Sequence, residues 1–426
     1  MARIPRLPAM IVGGLLMATG GCAPGEARVA ESPTPPARPT APTPAAEPAV
    51  AESFEEWRET FRARALAQGI RGDVFDSAFA GVGVNAKVLE LDAFQPEFTK
   101  PIWEYLDTAV SDTRVANGQA KAALHANTLS RIGATYGVDT RYVVAIWGLE
   151  SAYGANFGSI PVVESLATLA YEGRRRSFGE EQLIAALKII QAGDIAAERM
   201  VGSWAGAMGH TQFIPTSFLA YAVDFTGDGR RDVWASDPAD ALASTANYLA
   251  KFGWRKGAPV VAEVVLPAGF DYLMADGSTK RDGSAWAALG LAAAGGGAIP
   301  SGEATLIVPA GANGPAFLAY HNFNVIKRYN NATSYAMAVS MLGDAIEGRG
   351  RGVVQAWPRG DRPLSRSETQ ELQTLLTALG YDTKGVDGIV GPNSRTAIRS
   401  FQRAKGLVPD GYVSQALLDA VRAAGG

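Results

Sequence analysis

The sequence predicts a mainly α-helical protein of two globular parts behind a long N-terminal stretch of different composition. Three observations lead there. Apolar residues recur at helical spacing in segment after segment, only two short runs read as strands, and proline-rich composition sets the first fifty residues apart. The 426 residues, 47% of them hydrophobic, are enough to bury a large core. With 39 Lys+Arg against 42 Asp+Glu, the formal charge of −3 lacks the basic excess of a nucleic-acid binder. One cysteine excludes an intramolecular disulfide, and the three separated histidines, His125, His210 and His321, argue against zinc sites and Cys/His dyads.

Residues 1–21 read as a secretory signal peptide, with Arg3 and Arg6 before a short apolar core, Met10 to Ala18, too brief to span a bilayer. The run Ala18-Thr19-Gly20-Gly21-Cys22 looks like a bacterial lipobox, with Thr19 where Leu is usual. Cys22 is therefore the expected lipid-bearing terminus, and Ala23 rather than Asp after it implies the outer membrane. Ordinary signal-peptidase cleavage, with Cys22 unmodified, is the alternative. Acyl chains contribute about 0.8 kcal/mol per buried methylene, so such an anchor is stable. Residues 22–50 contain Pro33, Pro35, Pro36, Pro39, Pro42, Pro44 and Pro48 and read as a tether. At about 3 Å per residue when extended, it reaches on the order of 80 Å.

The first globular part is expected over 51–346. Ser53 and Glu56 stand in capping-box register ahead of Trp57, Phe61 and Leu66. Helical patterns follow near Pro101–Val110, Gln119–Tyr136, Tyr142–Glu150, Val162–Tyr171 and Gly179–Ala192, with strands only near Pro259–Leu266 and Ala304–Val308. An apolar helix over Ser334–Ile346 closes this part. Residues 347–363 read as a Gly/Arg/Pro linker, and 364–426 as a small domain with helices over Ser367–Leu379, Ser394–Lys405 and Ser414–Arg422.

Three runs could carry chemistry. Asp139 is a good N-cap for an uncharged run from Tyr142 to Leu149 that ends at Glu150. Desolvation at the end of a buried helix raises a carboxyl pKa, which makes Glu150 a candidate general acid; a structural Glu held by an arginine or a helix N-terminus is the alternative. Ser203-Trp204-Ala205-Gly206-Ala207-Met208-Gly209-His210-Thr211-Gln212-Phe213 mixes small residues, hydrogen-bonding groups and aromatics. That suits a carbohydrate groove, and equally a tight helix-packing segment. Asp224, Thr226, Asp228 and Gly229 match the front half of an EF-hand loop, but position 12 is Ala235, so either a variant loop closed by a later carboxylate or a solvated turn remains.

Taken together, Gly148-Leu149-Glu150-Ser151-Ala152-Tyr153-Gly154, the run from Ala205 to Pro215, Asp224 to Gly229, Asn247-Tyr248-Leu249 and the stretch from Asn322 to Asn330 resemble the membrane-bound lytic murein transglycosylase B family in sequence and order. The segment from Asp387 to Gln402, with Gly406-Leu407 and Asp410-Gly411, looks like a small helical peptidoglycan-binding domain. The resemblance implies a lysozyme-like α domain with small β elements, plus a three-helix wall-binding domain. It implies cleavage of the β-1,4 bond between N-acetylmuramic acid and N-acetylglucosamine with formation of 1,6-anhydromuramoyl ends, Glu150 acting as acid and then base. It places Ser203, Gln212, Phe213, Tyr248, Asn322 and Tyr105 in the sugar groove. It gives Asp224, Thr226, Asp228, the Arg230 carbonyl and Asp240 to a structural calcium, with no cofactor required for the chemistry. The implied partners are peptidoglycan strands and, through the Cys22 lipid, a membrane; the implied form is a monomer on the periplasmic face of a Gram-negative outer membrane. The competing readings are a muramidase that uses water and a non-catalytic wall-binding lipoprotein.

Overall fold

A computed structural model describes residues 52–93, 100–172, 175–350 and 352–425; the expected signal peptide and tether, with Cys22, lie outside the described residues. The helix Phe54–Ala67 opens with the expected capping box, Ser53 and Glu56 each bonding the other's backbone. At the centre of the larger body runs the helix Thr140–Ser151, buried from Tyr142 through Gly148. It packs against Thr333–Ile346, Asp112–Leu124 and Ala239–Lys251. The single helix expected over Gln119–Tyr136 is two, Asp112–Leu124 and Ala126–Tyr136, hinged at His125. The break lets the His125 ring meet Trp147 edge-on at 5.7 Å.

Two short strands, β1 (Ile160–Pro161) and β2 (Val201–Gly202), pair antiparallel inside the helical body. Five further strands among the described residues form an antiparallel sheet in the order β4-β6-β7-β3-β5. They are β3 (Val261–Val265), β4 (Lys280–Asp282), β5 (Ala292–Ala293), β6 (Glu303–Ile307) and β7 (Ala316–Tyr320). The sheet is larger than the two strand-like runs implied. β7 has no polar face to betray its period: Phe317 and Ala319 join the helical core, while Ala316, Leu318 and Tyr320 join a second core with Val264 and Trp286.

The C-terminal helices Arg366–Ala378, Pro392–Ala404 and Gln415–Gly425 enclose Leu372, Leu376, Ile398, Phe401 and Leu418. The segment expected as a Gly/Arg/Pro linker is held at several of its described residues. Val354 and Gln355 donate backbone N–H bonds to the Glu263 carboxylate at 2.6 and 2.8 Å, and Trp357 stacks on Phe317. The Arg359 guanidinium grips Asp107 through two bonds of 2.6 and 2.9 Å. The small module is docked too, with Asp410 accepting from Ala312 N at 2.8 Å and Arg399 donating to Ala275 O at 2.5 Å. Among the described residues no helix is long and apolar enough to cross a membrane.

Candidate active site

The helix Thr140–Ser151 ends in an abrupt reversal, with Ala152, Tyr153 and Gly154 all left-handed at φ 49°, 59° and 86°. This folds the Tyr153 ring back over Gly148, where a Cβ would fall 2.4 Å from the ring. The Tyr153 hydroxyl donates to Arg114 O at 2.8 Å. At the other end Asp139 sits at the N-cap position without capping. Its carboxylate instead accepts from Trp254 Nε1 and Gly257 N of the neighbouring loop, each at 2.9 Å.

Glu150 therefore lies in the last turn of a helix fixed at both ends. It is half-buried, and Tyr335 Oη donates to its Oε1 at 2.5 Å. Burial pushes its carboxyl up to about 8, against the pull of the Tyr335 hydrogen bond. The group is thus mostly protonated at neutral pH and able to deliver a proton. Neither cause is a second carboxylate. Three tyrosines feel its charge: burial first, then Glu150, lifts Tyr105 to about 12 and raises Tyr329 and Tyr335 well above the ordinary tyrosine value.

The Gly/Ala run forms a tight loop against this helix. Ser203 Oγ accepts from Ala205 N and Ala207 N at 3.3 and 3.1 Å, and Gln212, left-handed at φ 51°, donates from Nε2 to Phe157 O and Gly209 O. Tyr329 connects loop to acid: its hydroxyl donates to Thr211 O at 2.5 Å while its ring packs on Phe213 and Tyr248 at 5.8 and 4.9 Å. Tyr248 Oη in turn donates to Arg328 O. Glu150, Tyr105, Phe213, Tyr248 and the 211–213 segment are thus gathered around Tyr329 and Tyr335. Asn322 is not among them. It is fully buried, its Oδ1 accepting from Arg255 N and its Nδ2 donating to Arg255 O and Ala258 O, which makes it a brace for that loop. The sequence pattern does not single out Tyr329, Tyr335, Trp147 or His210 as site residues. A tyrosine inside a mainly apolar helix is the available signal for Tyr335, since a buried hydroxyl needs a partner.

In the acidic loop, Asp224, Asp228 and the buried Asp240 bring carboxylate oxygens within 4.8 Å of one another. Asp240 Oδ1 accepts from Phe225 N and Thr226 N, and its Oδ2 from Asp232 N. Asp224 accepts from the Thr226 hydroxyl and from Gly227, Asp228 and Gly229 N, while Asp228 accepts from Arg230 N. Burial raises the Asp240 carboxyl, and the Asp224 charge adds to it, so a cation there would relieve a real electrostatic cost. This all-oxygen donor set fits a hard divalent ion. A separate cavity of about 400 Å³, lined by residues such as Asp73, Asp194, Glu198 and Arg199, does not include Glu150.

The model of the transglycosylase SLT domain matches residues 53–344. The chain belongs to this family. A putative peptidoglycan binding domain matches residues 365–421. The chain is 34% identical over 252 residues to membrane-bound lytic murein transglycosylase B of Escherichia coli (strain K12), covering 57% of this chain and 66% of that relative, slightly under two thirds of its length. A crystal structure of SltB3 from Pseudomonas aeruginosa in complex with NAG-anhNAM-pentapeptide superposes with a TM-score of 0.85 at 53% identity, covering 87% of this chain and 100% of that one. The Escherichia coli lytic transglycosylase Slt35 in complex with calcium gives a TM-score of 0.60 at 30% identity, covering 68% and 93%. These similarities bear out the family and the mainly α fold that the motifs implied. They also show that a relative carries calcium.

Proposed function

We propose that this SLT-domain chain is a lytic murein transglycosylase that cleaves the β-1,4 bond between N-acetylmuramic acid and N-acetylglucosamine. The observation that carries the reading is Glu150 itself, a carboxyl at the end of a buried helix inside the matched SLT domain, held by Tyr335 and raised to about 8 by burial. Hydrolytic glycosidases pair two carboxylates, about 5–5.5 Å apart for retention or about 6.5–9.5 Å for inversion. In the transglycosylase reading the substrate brings its own nucleophile, so Glu150 needs no such partner.

Protonated Glu150 gives its proton to the glycosidic oxygen as the bond to muramoyl C1 breaks. The N-acetyl group of that sugar stabilises the cleaved centre as an oxazolinium. The Glu150 carboxylate then takes the proton of the C6 hydroxyl as O6 attacks C1 and closes the 1,6-anhydro ring. Glu150 ends protonated and no water is consumed. Intramolecular attack in a held geometry corresponds to effective molarities of about 10⁵ M or more. Tyr335 orients the acid through its 2.5 Å bond. Tyr105 and Ser203, both half-exposed, face the sugar, while the buried Gln212, Phe213 and Tyr248 support the groove from beneath. The relative solved with NAG-anhNAM-pentapeptide supports this product class.

The remaining assignments belong to the same reading. Asp224, Asp228 and Asp240, with Thr226 and the Arg230 carbonyl, hold a structural calcium, and the ion supplies charge neutralisation within the loop and no step of the chemistry. The C-terminal module binds peptidoglycan. Cys22 carries a lipid that ties the monomer to the outer membrane, as the name of the membrane-bound relative supports. Mass spectrometry of a peptidoglycan digest tests the reaction: anhydromuramoyl ends are expected, and reducing muramic acid ends alone would establish a muramidase instead. Absence of any soluble product would favour a wall-binding protein.

A further inference from the structure

His210 stands where three segments meet. Its Nδ1 accepts from Trp147 Nε1 at 3.0 Å, and because an indole only donates, the ring hydrogen must sit on Nε2, which donates to Ala235 O at 2.7 Å. Its main chain is held as firmly: His210 O accepts from Ser151 Oγ at 2.6 Å and His210 N donates to Val233 O at 2.9 Å. Trp147 and Ser151 flank Glu150, three positions before it and one after. Val233 and Ala235 lie one and three residues after Asp232, whose N donates to Asp240 Oδ2 at 3.0 Å. Two glycines permit the close approach. A Cβ on Gly154 would fall 2.5 Å from the His210 ring, and one on Gly209 2.3 Å from Val233 O.

We propose that His210 is a positioning residue that couples occupancy of the acidic loop to the placement of Glu150. The proposal rests on the metal and acid roles given above. A divalent cation draws Asp224, Asp228 and Asp240 together; Asp240 carries residues 232–235 with it through the Asp232 amide. That segment grips His210 by two bonds, and His210 grips the catalytic helix on both sides of Glu150. Coupling needs such a contiguous chain of bonded and packed groups, and every link here is a direct hydrogen bond or a covalent neighbour.

The test uses the full chain, calcium chloride as the probe, and three readouts: calorimetric calcium binding, the indole ¹H–¹⁵N resonance of Trp147 (assigned by its loss in Trp147→Phe), and turnover of peptidoglycan. In the wild type, calcium should move the Trp147 resonance and raise kcat with little change in KM. His210→Gln keeps a donor for Ala235 and loses the acceptor for Trp147. It should bind calcium as the wild type does, with a Trp147 resonance and a kcat that no longer respond, kcat being lower by about tenfold for one lost buried hydrogen bond near the acid. His210→Asn, which keeps an acceptor for Trp147 and drops the Ala235 bond, should recover most of that turnover without recovering its calcium dependence; it also carries the test if His210→Gln does not fold. A Trp147 resonance that answers calcium equally in His210→Gln and wild type would overturn the coupling, as would calcium binding that leaves the wild-type resonance still. Failure of the wild type to bind calcium would overturn the metal site and the coupling while leaving the transglycosylase reading intact. A moving resonance in a chain without lytic activity would uphold the linkage and overturn the function.

Discussion

Tyr335→Phe removes one oxygen and keeps the ring, so it isolates the bond to Glu150. The hydroxyl donates to Glu150 Oε1 at 2.5 Å. Such a bond contributes about 1.5–3 kcal/mol to a charged acceptor and about 0.5–1.5 kcal/mol to a neutral one. The difference, roughly 1–1.5 kcal/mol, corresponds to about one pKa unit. Its sign is fixed by the structure, since the Tyr335 bond lowers the Glu150 carboxyl that burial raises to about 8. Losing the bond should therefore move the basic limb of the kcat–pH profile upward by about one unit, to roughly pH 9. The plateau should fall by about tenfold, because the carboxyl loses the group that aims it. Soluble muropeptide release measured across the pH range provides the assay, with thermal unfolding to confirm the fold. A basic limb that stays in place or moves downward would refute the assignment of Tyr335 and the electrostatic account of Glu150.

Further outcomes follow from the same geometry. Because folding raises the Glu150 carboxyl from 4.5 to about 8, the native state holds a proton that the unfolded chain releases over that window. Wild type should thus lose stability relative to Glu150→Gln as pH rises from 4.5 to about 8, and the two should converge below it, as urea unfolding at several pH values will show. Gly148→Ala would place a methyl 2.4 Å from the Tyr153 ring, so a loss of about 1–3 kcal/mol in denaturant unfolding and a collapse of turnover are expected. Trp357→Ala should free the 347–363 strap for limited proteolysis, whereas Arg359→Ala, which breaks an exposed ion pair with Asp107, should cost about 0–1 kcal/mol and leave the strap protected.

Much of this was legible in the sequence wherever one environment governs a whole segment. The capping box at Ser53 and the apolar run of Val162–Tyr171 specify helices locally, whereas the box at Ser365 starts its helix ahead of the expected Ser367. β7 was not legible, because a strand between two cores shows no alternation. The break at His125 was not either, as the ring there packs edge-on against Trp147 from another helix. In the site, an uncharged run ending in Glu150 was enough to anticipate a raised carboxyl. The identity of its partner was not, since Tyr335 lies 185 residues away. Asn322 shows the converse: a polar residue inside a motif was expected to face sugar, while its amide is wholly engaged by the backbone of Arg255 and Ala258. The segment 347–363 reads as a Gly/Arg/Pro linker by composition, and partners far off in sequence, Phe317 against Trp357 together with Glu263 and Asp107, hold its described residues.

The central claim is that the nucleophile comes from the substrate and that Glu150 moves the proton. Digestion of peptidoglycan in heavy-oxygen water, wild type beside Glu150→Gln, tests both at once. The account predicts anhydromuramoyl ends free of heavy oxygen from the wild type and no product from the variant. Muramic acid ends carrying one heavy oxygen, or undiminished cleavage by Glu150→Gln, would contradict it.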